Sequence, residues 1–195
     1  MIAMTIAKSE LILGGQKSGK SRRAELLARQ WLAQSPQHQA VLIATAQPWD
    51  DEMRERIARH QQERAARVPG MATVEEPLQL AQAITQHSNG NTLVVVDCLT
   101  LWLTNLLMPV ENLKENKPVA QEGRGRTAIL LGAIEAAEGP VILVGNEIGL
   151  GVIPLGRETR AFVDALGRLN QDVAGACQRV TLMAAGLPLT LKDSA

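Results

Sequence analysis

The residues best suited to phosphate chemistry lie together near the start of the chain. Gly14, the four residues Gly15, Gln16, Lys17 and Ser18, and then Gly19-Lys20-Ser21 have the GxxxxGK(S/T) spacing of a phosphate-binding loop. Glycine at 14, 15 and 19 lets the backbone approach phosphate oxygens and take φ values that a Cβ would forbid. The loop amides and the positive end of a helix starting near Lys20 then face the anion. Lys20 adds a mobile cation for the β- and γ-phosphates, and the Ser21 hydroxyl is placed to ligate Mg²⁺. Two further residues stand out. Asp97 follows the apolar run Leu93-Val94-Val95-Val96, where a carboxylate can hold Mg²⁺ directly or through water, or cap the next helix. His60 follows Met53 and Ile57 at i+7 and i+3, so its imidazole projects from the edge of the helix's buried face, free to do chemistry or to pack with one hydrogen bond.

The surrounding pattern supplies elements to position these groups. Residues 10–13 form a short apolar strand, and Ala24, Leu27, Ala28, Trp31 and Leu32 recur at helical spacing behind the glycine-rich turn. Residues 40–45 form a second buried strand, completing a βαβ unit. A helix from Asp50 follows, with acids in its first turn and Arg54, Arg56, Arg59 and Arg64 later, as a helix dipole favours. After a short extended segment ending near Pro77, residues 78–86 are expected to be helical, and residues 92–97 read as a central parallel strand. Residues 99–108 form an apolar helix containing Trp102, Thr104 and Asn105. Residues 109–125, rich in Glu, Lys, Asn, Gly and Pro, are expected to form a flexible surface loop. A helix over 126–138, a strand over 141–144, a glycine-rich loop over 145–154 and a helix over 157–177 follow. The last helix carries Phe162, Leu166, Leu169 and Val173 as a core stripe, with Arg160, Arg168 and Asn170 off it and able to reach substrate or a neighbouring subunit. Residues 180–183 and 187–191 predict a closing hairpin, with Pro188 confining its last strand to an edge. The expected fold is α/β and P-loop NTPase-like (RecA-like). Its mostly parallel sheet is flanked by helices and has an antiparallel edge strand near the C-terminus. Residues 1–195 make a single domain, with residues 1–9 as an extension.

Composition narrows the function. Twenty basic residues balance twenty acidic ones, so no global field draws the chain to nucleic acid or an anionic membrane. One Phe, three Trp and no Tyr leave little for base-stacking platforms. Cys98 and Cys177 have no metal-binding spacing and read as small buried hydrophobes. No apolar run reaches spanning length and the first ten residues do not pattern as a signal peptide, so the expected location is cytoplasmic.

Several stretches then occur in a telling order: the loop 14–21, Ile43-Ala44-Thr45-Ala46-Gln47, Asp51-Glu52-Met53, Arg56-Ile57-Ala58-Arg59-His60, Asp97-Cys98-Leu99-Thr100 with Thr104-Asn105-Leu106-Leu107, and the NExGxGxxP segment from Asn146 to Pro154. Together they resemble the bifunctional adenosylcobinamide kinase and adenosylcobinamide-phosphate guanylyltransferase family, over nearly the whole chain. The resemblance implies a two-step enzyme. ATP or GTP phosphorylates adenosylcobinamide, and GMP from GTP is then transferred to that phosphate, releasing pyrophosphate. The family's histidine, covalently bonded to GMP in the second step, falls on His60. By the same carry-over Ala44, Thr45 and Ala46 lie beside the nucleotide, and Gln61, Gln62, Glu63, Arg64, Glu75 and Asp97 contact GTP. Glu75 or Asp97 could read guanine, which leaves Asp97 as base reader or metal holder. The family also implies a homo-oligomer, expected as a trimer, to which Arg160 or Arg168 could contribute. This chain departs from many members in having Arg64-Ala65 after the histidine segment and no Trp between Trp49 and Trp102. A monofunctional P-loop kinase and a nucleotide-switched binding module are the alternatives that the residues alone leave open.

Overall fold

The computed structural model describes residues 5–48, 50–108, 119–152 and 154–194, apart from the side chains of Arg56 and residues 119–124. In chain order the elements are β1 (Ser9–Gly14), α1 (Lys20–Gln34), β2 (Gln39–Ala44), α2 (Asp51–Arg67), β3 (Met71–Glu75), α3 (Leu80–His87) and β4 (Thr92–Asp97). They continue with α4 (Leu99–Leu107), α5 (Val119–Ala136), β5 (Val141–Val144), α6 (Arg157–Ala176), β6 (Arg179–Ala184) and β7 (Leu187–Asp193). The strands form one seven-stranded sheet in the order β3-β2-β4-β5-β1-β6-β7. Neighbouring strands are parallel, except that β7 runs antiparallel to β6.

Alternation along the strands divides the core into two layers. Leu11 and Leu13 of β1, with Val94 and Val96 of β4, face a cluster that includes Leu80 and Ile84 of α3, Trp102 of α4, Leu130 of α5 and Leu166, Leu169 and Val173 of α6. Ile12, Leu93 and Val95 face the other way, onto Ala24, Leu27 and Ala28 of α1 and Val68 just beyond α2. Each fully buried Leu or Ile contributes roughly 1.5–3 kcal/mol by leaving water. The chain from β1 thus enters a helix on one face, whereas the chain from β5, its neighbour, enters α6 on the other. A crevice opens outside the strand ends at that point, where α/β sheets collect ligands.

A buried charge network ties α1 to the sheet. Glu10 of β1 is fully buried; its Oε1 accepts from Arg23 Nε at 2.9 Å and from the Thr181 hydroxyl at 2.8 Å. Arg179 lies 3.8 Å from the second carboxylate oxygen and pairs with Asp193 of β7 and Thr5. The segment ahead of β1 is therefore partly packed: Ala7 is buried and Thr5 receives Arg179. The β6–β7 turn has φ of 51° at Ala185 and 80° at Gly186, as a two-residue hairpin turn with right-handed strand twist requires.

Two element boundaries differ from the sequence expectation. Helix α5 begins at Val119 rather than near 126, so the second part of the expected 109–125 loop is helical. Gly123 and Gly125 masked a run of good helix formers, Ala120-Gln121-Glu122 among them. The first part, residues 109–118, lies outside the described residues. Helix α3 starts at Leu80 because the Glu76 carboxylate caps the preceding turn, accepting from Leu78 and Gln79 N–H at 2.9 and 2.8 Å. No helix among the described residues is long and apolar enough to cross a membrane.

Candidate active site

The phosphate loop leaves β1 at Gly14, whose φ is 153°, and enters α1 through Gly19, whose φ is 102°. A Cβ at Gly14 would lie 2.5 Å from the Met183 carbonyl oxygen, so glycine is demanded by the close passage of β6. The loop is braced by Ser18 N–H donating to the Gly15 carbonyl at 3.3 Å and Gly186 N–H donating to the Ser18 carbonyl at 3.0 Å. Helix α1 has no side-chain N-cap, which leaves its first amides for an anion. The Ser18 hydroxyl oxygen is buried with no hydrogen-bond partner among the described residues. Lys20 folds back, donating to the Gly15 carbonyl at 2.6 Å. Burial lowers its pKa below the usual lysine value, opposed by Cys98 and Asp97. A buried cation that rests on a loop carbonyl, beside a buried hydroxyl and open helix amides, is chemically matched to a polyphosphate.

Strand register assembles the next part. Glu75, Ala44, Asp97 and Val144 stand side by side at the C-terminal ends of β3, β2, β4 and β5. Thr45, fully buried, turns inward: its hydroxyl donates to the Cys98 carbonyl at 2.8 Å and accepts the Cys98 N–H at 2.9 Å. Asn105 of α4, also buried, donates to the carbonyls of Thr45 and Pro77 at 2.8 and 3.1 Å. These bonds fix the segment between Ala44 and Ala46. The Cys98 thiol is buried beside Asp97, and desolvation pushes its pKa up to about 11.

Above this edge lies α2. The stripe of Met53, Ile57 and His60 is half-buried and faces the cleft, not the core, which corrects the expectation of a buried helix face. Only Arg64 is buried among the described side chains of α2. Polar links hold the helix: Arg64 Nη1 is 3.8 Å from Asp97 Oδ2, Gln61 donates to Glu75 at 3.2 Å, and Arg67 donates to Glu25 of α1 at 3.1 Å and to Glu63 at 2.9 Å. The hydrogen bond to Glu25 is the main reason that the pKa of Arg67 is raised.

The loop after β5 closes the other side. Glu147 N–H donates to the Gly14 carbonyl at 3.1 Å, and Asn146 N–H to the Thr100 hydroxyl at 2.9 Å. Asn170 of α6, expected to reach substrate or a neighbouring subunit, is buried and supports this loop, donating to the Asn146 carbonyl at 3.1 Å. Arg160 holds the carbonyls of Pro154 and Leu155, while Arg168 is exposed.

These parts enclose an open cleft of about 740 Å³. Of the residues expected from sequence, Gln16, Lys17, Ser18, Gly19, Lys20, Ser21, Ala44, Ala46, His60, Gln61, Glu63, Arg64 and Asp97 line it. Gly14 and Gly15 precede the lining residues of the loop without lining the cleft themselves, Glu75 joins through Gln61, the Thr45 side chain points away, and Gln62 is exposed outside the lining. Arg59, Arg67 and Asn146 also line it and were not singled out. Arg67 falls at i+7 from His60, the same side of the helix, which was the available signal. Among the described residues no group of three or more His, Cys, Asp or Glu could hold a metal. An ion here would rest on Ser21, Asp97 and nucleotide phosphates, the usual manner for Mg²⁺.

A mostly parallel sheet with a phosphate loop at its switch point defines a P-loop nucleotide-binding protein. Solved structures of the same fold include the flagellar accessory protein FlaH of Methanocaldococcus jannaschii (TM-score 0.53, 10% identity, covering 97% of this chain and 80% of that one). A second solved structure, of an ATPase domain, is similar to the same degree (TM-score 0.53, 12% identity, 96% and 78%). The model of one family, described as cobinamide kinase / cobinamide phosphate guanyltransferase, matches residues 10–191, and the chain belongs to that family. It is 46% identical over 184 residues to the bifunctional adenosylcobalamin biosynthesis protein CobP of Pseudomonas aeruginosa, covering 94% of this chain and 96% of that protein. It is 35% identical over 187 residues to CobU of Escherichia coli, named as the same bifunctional protein, covering 93% and 98%. The chain is therefore an enzyme of a family with kinase and guanyltransferase activities.

Proposed function

We propose that the chain phosphorylates adenosylcobinamide with ATP or GTP, then transfers GMP from GTP to adenosylcobinamide phosphate, giving adenosylcobinamide-GDP and pyrophosphate. The observation that carries this reading is that His60 and the phosphate loop line a single cleft. A kinase alone needs the loop; a guanylyltransferase also needs a nucleophile within reach of the α-phosphorus.

In the first step the loop amides and Lys20 bind the triphosphate, and the acceptor hydroxyl attacks the γ-phosphorus in line; the new O–P bond forms as the bond to the β–γ bridging oxygen breaks, ADP or GDP departs against Lys20, and the hydroxyl proton passes to solvent. In the second step a neutral nitrogen of His60 attacks the α-phosphorus. The N–P bond forms as the bond from the α-phosphorus to the β-bridging oxygen breaks, and pyrophosphate departs against Lys20. An oxygen of the acceptor phosphate then attacks the same phosphorus and the imidazole leaves. Dividing the displacement in two lets one histidine serve as nucleophile and as leaving group. Mg²⁺, held by Ser21 and Asp97 with the phosphates, would neutralise charge on the transferring groups. In this reading Gln61, Glu63, Arg64 and Glu75 surround the base, which the presence of the first three in the cleft lining supports. Asp97 lies 3.8 Å from Arg64, and in this reading its carboxylate serves metal or guanine. We also propose that the enzyme works as a homotrimer in the cytoplasm with no nucleic-acid partner. Exposed Leu150, Val152 and Leu155 offer apolar surface for a neighbouring copy.

The test is incubation with Mg²⁺ and GTP labelled at the α-phosphate, followed by peptide mapping. Label on His60 that survives base and is lost in acid, as a phosphoramidate is, supports the reading; protein that binds GTP without becoming labelled refutes it.

A further inference from the structure

Helix α2 carries His60 yet buries only one of its described side chains, so apolar packing does not fix its position over the phosphate loop. Its placement depends on polar links, and one of them leads directly to the helix that holds the phosphates. Glu25 of α1 is i+4 from Ser21, one turn along the same face, and its side chain is only 11% exposed. Its carboxylate accepts from Arg67 at 3.1 Å. Arg67 lies on the His60 side of α2 and also reaches Glu63, at 2.9 Å. A continuous chain of side chains thus runs from the Lys20-Ser21 turn through Glu25 and Arg67 to the turn bearing His60 and Glu63. We infer that Arg67, anchored on Glu25, is a positioning residue that sets the distance of His60 from the α-phosphorus, and so controls guanylylation separately from phosphoryl transfer.

The inference rests on the reading of His60 as the guanylyl acceptor and goes beyond it, since neither Arg67 nor Glu25 reacts. Phosphoryl transfer from ATP requires the loop and Lys20, which β1 and α1 place. Nucleophilic attack by His60 requires α2 at the correct height, and misplacement by about 1 Å can cost on the order of 100-fold in rate. The Arg67 side chain is half exposed, so its removal should leave the fold intact. Glu25 lies outside the lining of the large cleft but lines a small recess with Ser21 and Asp97, so the Mg²⁺ dependence of phosphorylation, measured alongside, separates a lost link to Arg67 from a disturbed phosphate site.

The test compares wild type, Arg67→Ala, Arg67→Lys, Glu25→Gln and the double variant Arg67→Ala/Glu25→Gln. Two rates are measured for each: single-turnover labelling by α-labelled GTP, and phosphorylation of adenosylcobinamide by ATP. Expected for Arg67→Ala and Glu25→Gln is labelling slowed by about 10- to 100-fold at saturating GTP, a fall at least several-fold larger than any fall in phosphorylation. The double variant should be no slower than the worse single one, because both break one link. Arg67→Lys, which keeps a cation facing Glu25, should recover most of the rate. Unchanged labelling in Arg67→Ala overturns the inference, as does an equal fall in labelling and phosphorylation. Absence of label in wild type would instead remove the His60 reading on which it stands.

Discussion

Replacing Gly14 by alanine tests how the sheet shapes the phosphate loop. Gly14 pairs in register with Met183 of β6, and an added Cβ would stand 2.5 Å from the Met183 carbonyl oxygen and 2.6 Å from the Ser18 hydroxyl. The hydroxyl can rotate away, but the carbonyl belongs to a sheet strand and moves only if β6 shifts. Overpacking of this kind costs about 1–3 kcal/mol. Holding a non-glycine residue at a φ of 153° adds about 1–3 kcal/mol. Gly14→Ala should therefore lose about 2–6 kcal/mol; at about 2–4 °C per kcal/mol for a chain of this size, Tm falls by at least about 4 °C. Gly15→Ala is the matched control, because its Cβ would meet nothing within 4 Å, and it should unfold within about 1 kcal/mol of wild type. Urea and thermal unfolding of the two nucleotide-free variants decide the matter. Equal stability of Gly14→Ala and Gly15→Ala would refute the close passage of β6 under the loop.

Other expectations follow from the buried charges. Lys20→Met should slow both half-reactions by about 10²–10³-fold, yet raise the Tm of the nucleotide-free protein at pH 7. Burial lowers the folded pKa of Lys20, so the unfolded chain binds its proton more readily, and the wild-type penalty is relieved as pH rises towards 10.5. The stabilisation of Lys20→Met should accordingly shrink at alkaline pH, and thermal scans across pH check the sign. Arg23→Met leaves the fully buried Glu10 without its closest cation and should destabilise by about 3–5 kcal/mol in urea unfolding. Burial pushes the thiols of Cys98 and Cys177 up to about 11 and about 12, so iodoacetamide at pH 8 should modify neither in the native protein and both after denaturation, counted by mass.

Much of the architecture was legible because it depends on local pattern. The β-branched run before Asp97 identified a central strand, and the glycine spacing around Lys20 located the loop without any tertiary information. Helix α2 shows where that reasoning stops. Met53, Ile57 and His60 have the periodicity of a core-facing stripe, but periodicity specifies a common face, not what the face meets, and here it meets a cleft. Thr45 was drawn to the nucleotide by its neighbours, yet strand alternation turns its side chain inward onto Cys98. Asn105 stands out in sequence only as a polar residue on an apolar helix, and Asn170 only as lying off a core stripe; their partners are carbonyls distant in sequence. Glu10 and Arg23, thirteen residues apart, carry no motif, and only the packing of α1 onto β1 brings them together. The Glu25–Arg67 link was hidden for the same reason.

The account depends most on the division of labour between the loop and His60, and one measurement addresses it directly. Wild type and His60→Ala, each with Mg²⁺, GTP and adenosylcobinamide, would be compared by mass analysis of the corrinoid products. Wild type should yield adenosylcobinamide-GDP, and His60→Ala should accumulate adenosylcobinamide phosphate at a rate within a few-fold of the wild-type kinase step. Formation of adenosylcobinamide-GDP by folded His60→Ala, or loss of both products together, would contradict a histidine dedicated to guanylyl transfer.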